Sequence, residues 1–146
     1  MEENELAQRA RYIHYTTRLP VFWLRDGSLV NTLPRDVHLA GTLLNDPAAP
    51  LTGLKIDRAA PGGVAPVENA YAERFFYAPL GEGVLLLCGP YCPEPFTDGD
   101  VQRLIRSLRL PLDKREQLHA YYAGLPRLND MHAYYTGLFL QRTLDR

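Results

Sequence analysis

AERFFYAPLGEGVLLLC, residues 72–88, is the stretch whose reading decides the fold. Ala72 to Leu80 is dense in aromatic side chains and predicts one strand; Val84 to Cys88 predicts a second, entered through Gly81-Glu82-Gly83. The VLLLC run holds no polar residue, so it does not alternate between a wet face and a dry one. An apolar run of that length bounded by glycines implies a central strand covered on both faces. Side chains alternate along a strand, so Phe75 and Tyr77 share one face and Phe76 takes the other.

Upstream, Leu6, Ala10, Ile13 and Thr17 recur near a 3.6-residue period, which predicts a helix from Glu3 to Arg18 stopped by Pro20. Val21-Phe22-Trp23-Leu24 is a β-rich run, and Asp26-Gly27 predicts a hairpin returning through Ser28 to Thr32. Leu33-Pro34 closes it. Asp36 is placed to cap a short helix carrying Val37, Leu39, Ala40, Leu43 and Leu44. Residues 45–66 read as a loop with one extended piece at Leu54-Lys55-Ile56.

Downstream, Gly89-Pro90 is expected to end the central strand. Thr97 with Asp100 three residues on forms a capping-box pattern for a helix to about Leu108. Asp113 begins another helix, stopped at Gly124-Leu125-Pro126, and Asn129 caps a last one. The order α-β-β-α-loop-β-β-α-α-α gives an α+β fold, an antiparallel sheet flanked by helices with a C-terminal helical segment. Residues 1–110 form its α/β part. Residues 111–146 are expected as a helical hairpin on the same core, because so short a turn favours antiparallel packing.

A chain of 146 residues with 46% hydrophobic and 23% charged residues suits one domain with one core. It has no apolar run of about eighteen residues, so no membrane span is expected. The start Met1-Glu2-Glu3-Asn4-Glu5 is acidic, unlike a secretory leader, and a cytoplasmic location is expected. The formal net charge is −1, which argues against a nucleic-acid partner. Arg103, Arg106 and Arg109 read as the solvated face of their helix.

Cys88 and Cys92 are separated by three residues rather than the two of a thioredoxin-like motif, and two prolines stand between Cys92 and the next helix. A thiol-dependent redox sensor or enzyme built on this pair is the alternative function. The four histidines, His14, His38, His119 and His132, show no metal-ligand spacing, so no metal and no cofactor is expected. No nucleophile, phosphate-loop or paired-carboxylate motif is present, and the chain is read as a non-enzyme. Glu68, Glu73 and Glu82 read as solvated edge charges. The turn near Ala120 and Gly124 resembles a helix-turn-helix, but the helix after it opens on Asp130-Met131-His132, a poor start for base contacts. Aromatic side chains remain. Trp23, Phe76, Tyr77 and Tyr91 are the candidate walls of a ligand pocket. HAYYAGL and HAYYTGL, opening at His119 and His132, place adjacent tyrosines on two helices, and Tyr122 and Tyr135 are the candidate homodimer contacts. A dimerisation module without a ligand is the third reading.

Tyr12-Ile-His-Tyr, then Leu19-Pro-Val-Phe-Trp-Leu with its Asp-Gly hairpin, resembles the start of the N-terminal domain of many AraC-type transcription regulators of Gram-positive bacteria. Leu87-Cys88-Gly89-Pro90-Tyr91 resembles that group's (I/L)xGPF strand end, and Tyr121-Tyr122-Ala-Gly-Leu-Pro126 its YYxxLP segment. The resemblance implies a PAS- or GAF-like regulatory domain that senses a small molecule or dimerises and controls an attached helix-turn-helix domain. That basic domain of about a hundred residues does not follow Arg146, so direct DNA binding by this segment is not expected.

Overall fold

The computed structural model of the chain describes residues 2–35, 37, 39–46, 50–54 and 63–145. Helix α1 (Glu3–Thr17) ends at Arg18, which turns left-handed at φ 65° and donates its N–H to the His14 carbonyl. Strand β1 (Val21–Arg25) then runs into Asp26 and Gly27, at φ 51° and 81°, and returns as β2 (Ser28–Leu33). Two successive positive φ values make the tight hairpin turn that Asp-Gly favours.

Three further strands complete a five-stranded antiparallel sheet of order β2-β1-β5-β4-β3, with β3 at Ala65–Glu68, β4 at Arg74–Gly81 and β5 at Val84–Tyr91. The fold is α+β, and the VLLLC strand is central, between β1 and β4. Its two faces feed two cores. Leu86 and Cys88 join Trp23 and Phe76 beneath α1 and α5 (Asp130–Leu144). Leu87 joins Phe22, Leu24 and Phe75 beneath Leu39 on the opposite face. Beside that second layer, α2 (Ala40–Leu43), α3 (Asp98–Ser107) and α4 (Arg115–Ala123) enclose Val101, Ile105, Leu118 and Tyr122. Asp36, Lys55 and Ile56, to which the sequence assigns a helix cap and an extended piece, lie outside the described residues.

The structure departs from the sequence reading in three places. Strand β3 lies partly inside the expected loop. Only four residues long and carrying Pro66, it lacks a strand signature, and its edge position is what tolerates the missing donor. Strand β5 does not stop at Gly89 but continues through a cis Gly89–Pro90 bond to Tyr91. The register against β4 slips there, so Tyr91 points to the same side as Cys88, three residues before it. Gly89 is required: its φ is 151°, and a Cβ would lie 2.7 Å from the Arg74 carbonyl oxygen.

The third departure is the C-terminal hairpin, which does not form. Helix α4 packs on α2 and α3, whereas α5 packs on α1 across the sheet. The connection between them is held at the end of β5. The Cys92 N–H donates to the Pro126 carbonyl, and the Leu128 N–H donates to the Cys92 carbonyl, both at 2.9 Å. This short parallel bridge carries the chain past the sheet edge to the other face.

Candidate functional site

A cavity of about 410 Å³ lies between the sheet and α5. Its floor is Phe76 and Tyr91, stacked with ring centroids 4.8 Å apart and planes 16° apart. Both rings are almost wholly buried. The slip at Gly89 is what brings Tyr91 beside Phe76, since without it the tyrosine would face the other core. Helix α5 forms the roof with Ala133, Tyr134, Gly137 and Leu138. Gly137 stands directly over Phe76: a Cβ built there would lie 3.7 Å from Phe76 Cε1, an ordinary van der Waals distance. Alanine would therefore fit, and glycine inside a helix costs about 0.5–1 kcal/mol relative to it. The missing side chain is not a packing requirement, and helix α5 lies close on the Phe76 ring at this point.

Two charged side chains line the same cavity. Arg74, at the start of β4, contacts Glu68 at 3.6 Å, a long and half-exposed pair. Asp130 opens α5, where a carboxylate suits the positive end of the helix dipole, and it forms no ion pair among the described residues. Asn129 caps the helix by accepting from the His132 N–H at 2.8 Å.

Of the four side chains the sequence proposes as pocket walls, the structure brings two together. Trp23 faces the same core but lies away from the cavity, its indole N–H buried without a partner among the described residues. Tyr77 packs on the opposite face with Phe75, as strand alternation requires. The residues missed are Arg74, Asp130 and Gly137, because the sequence gives no sign that α5 crosses the sheet to lie over β4. A glycine in mid-helix was the available signal.

The proposed dimer pair is divided as well. Tyr122 is only 1% exposed, enclosed by Phe96, Leu118 and Tyr121, and its hydroxyl donates to the Tyr71 carbonyl. It belongs to the chain's own core and has no surface to offer a second copy. Tyr135 is 61% exposed, one turn from exposed Met131 on α5, and Tyr12 and Tyr15 on α1 are exposed as well.

Glu73 is not the solvated edge charge its position suggests. It is fully buried, with Oε2 accepting from the Ala40 N–H at 3.1 Å and from the Tyr121 hydroxyl, and Oε1 accepting from Asn69 Nδ2 at 2.8 Å. Burial raises its pKa above the ordinary carboxylate range, against the lowering effect of these donors. Beside it, the Tyr71 hydroxyl donates to Asp46 Oδ2 at 2.7 Å, and burial with that acceptor pushes Tyr71 up to about 12. The network ties α2, α4 and the β3–β4 turn together.

Comparison of the chain with known protein families, curated proteins and solved structures returns no match.

Both cysteines are buried and unpaired. Burial pushes the Cys88 thiol up to about 12 and raises Cys92 too, away from the thiolate that redox exchange needs. Among the described residues no three His, Cys, Asp or Glu side chains are placed to hold a metal ion, and no helix is long and apolar enough to cross a membrane. Arg103, Arg106 and Arg109 are exposed, and Arg103 pairs with Asp100. A wider hollow of about 670 Å³ between α3 and α4 is lined by Asp98, Gln102, Arg115, Glu116 and His119. No Phe, Tyr or Trp is among its lining residues.

Proposed function

We propose that the chain is a regulatory sensor domain that binds a small molecule in the cavity beneath α5, and that it is not an enzyme. One observation carries this reading: a preformed cavity beside a stacked aromatic pair, closed on its other side by helix α5. Such a volume, largely apolar with a few polar groups, is typical of small-molecule sites. An antiparallel sheet flanked by helices is also the architecture implied by the resemblance to AraC-type regulators, in which such a domain would control an attached helix-turn-helix domain. A ligand shifts a regulator only if it prefers one of two states. Here the ligand would touch both β4 and α5, so occupancy would bear on how the last helix sits on the sheet. The reading is tested by screening a library of aromatic and aliphatic fragments by thermal shift against the wild type and Gly137→Leu. Hits that stabilise only the wild type support it; an absence of hits, or hits equal in both proteins, refutes it.

A specific observation favours a homodimer as a second property of the same domain. Tyr12, Tyr15, Met131 and Tyr135 are all more than half exposed on the outer surface of the α1–α5 layer. Tyrosine is suited to an interface because its ring buries area while its hydroxyl can stay wet. Helix α1 carries Glu3 and Glu5 in its first turn and Arg9 and Arg11 further along. Two copies crossing antiparallel would set acid against base. Sedimentation decides this: a dimer lost in Tyr135→Glu supports it, and a monomer at tens of micromolar refutes it.

A further inference from the structure

We propose that the cavity beneath α5 takes a free α-amino acid with an apolar side chain. This rests on reading the cavity as a small-molecule site and goes further, to the chemical class of the occupant. Arg74 and Asp130 are the only ionised side chains among the described residues that line the cavity, and they do not pair with one another. Among the described residues Arg74 forms one ion pair, with Glu68 across a long, half-exposed gap, so its guanidinium fork has donors to spare. Asp130 offers a carboxylate that forms no ion pair among the described residues. The remaining lining is apolar or aromatic apart from the Gln141 amide.

Each simpler ligand leaves one of these charges badly placed. A phosphate or a simple carboxylate would satisfy Arg74 and face Asp130 with a like charge. An amine would do the reverse. A neutral molecule would make use of neither charge. A zwitterion serves both at once: its carboxylate sits in the Arg74 fork and its ammonium against Asp130, two charge-assisted contacts. Its side chain then lies in the cavity alongside Phe76. That space is lined by Val64, Tyr91 and Leu138, so it suits an aromatic or branched aliphatic group.

Calorimetric titration of the intact chain tests this with four probes. L-phenylalanine and L-leucine carry both charges, 3-phenylpropanoate lacks the ammonium, and 2-phenylethylamine lacks the carboxylate. At least one amino acid is expected to bind about tenfold tighter than either analogue, the usual consequence of losing one charge-assisted contact. Arg74→Gln and Asp130→Asn should each bring amino-acid binding down by a similar factor. Both side chains are solvent-accessible, so unchanged circular dichroism and melting temperature would show that the variants fold. An analogue that binds as tightly as the amino acids, or amino-acid binding indifferent to both substitutions, overturns the proposal. If an analogue binds and Gly137→Leu abolishes that binding, the cavity remains a ligand site and only the amino-acid assignment falls. If none of the four binds, the assignment falls, and the fragment screen decides the cavity separately.

Discussion

Replacing Glu73 tests the least expected feature of the interior, a buried carboxylate whose donors among the described residues are all neutral. In Glu73→Ala the Ala40 N–H and the Tyr121 hydroxyl lose their acceptor, whereas Asn69 Nδ2 keeps the Pro50 carbonyl at 3.2 Å. Two donors left without their acceptor in a buried place cost about 1–3 kcal/mol each. Removing the carboxylate also removes its desolvation penalty, which offsets part of that. The net expectation is a loss of about 2–4 kcal/mol, or a fall in melting temperature of about 5–15 °C for a domain of this size. Glu73→Gln keeps the shape and one acceptor but turns an amide N–H toward the Asn69 donor, so a smaller loss of about 1–2 kcal/mol is expected. The pH profile separates this network from mere packing. Because the folded pKa lies above the unfolded one, the stabilising contribution of Glu73 is complete below the unfolded value and is lost as pH rises through the folded value. Wild-type stability, measured by urea unfolding, should therefore decline as pH rises from the ordinary carboxylate range, with a slope of at most about 1.4 kcal/mol per pH unit from this group. In Glu73→Gln that decline should disappear. Parallel pH profiles for the two proteins, or a neutral Glu73→Ala, would refute the reasoning.

Four other outcomes are expected. Tyr122→Glu should unfold the chain, whereas Tyr135→Glu should stay within about 0.5 kcal/mol of wild type, as judged by urea unfolding. Burial also raises Tyr71, Tyr121 and Tyr122, so their contribution is lost only as pH climbs past the ordinary tyrosine value; tyrosinate absorbance should show these three ionising together with unfolding. Gly89→Ala should cost about 2 kcal/mol or more, because its Cβ would meet the Arg74 carbonyl oxygen and its φ does not suit alanine, and thermal melts would show it. Gly137→Ala should instead stabilise the chain by about 0.5–1 kcal/mol in the same assay.

Much of the fold was legible because local signals agreed with it. Asp26-Gly27 placed the first hairpin, the unbroken VLLLC run marked the central strand, and Thr97 and Asn129 capped the helices that follow them. What stayed hidden depended on contacts distant in sequence. Pro66 concealed an edge strand, since such a strand needs a partner more than a propensity. The Cys92–Arg127 bridge cannot be read from a turn that looks fit for a helical hairpin, yet it sends α5 to the far face. That one displacement left Tyr135 exposed and assembled the cavity from Phe76, Tyr91 and Gly137, while Tyr122 was buried by the packing of α4 on α2 and α3. Glu73 was misplaced for a related reason: a lone acid at a strand start looks wet until Ala40, Asn69 and Tyr121 close over it.

The most direct measurement is heteronuclear NMR mapping of a bound fragment or amino acid on the labelled chain. The expected result is a set of shifts centred on Phe76, Tyr91, Ala133, Gly137 and Leu138 that saturates with ligand and vanishes in Gly137→Leu. Shifts centred instead on the Asp98–His119 hollow, or a pattern unchanged by Gly137→Leu, would contradict the assignment of the cavity as the sensor site.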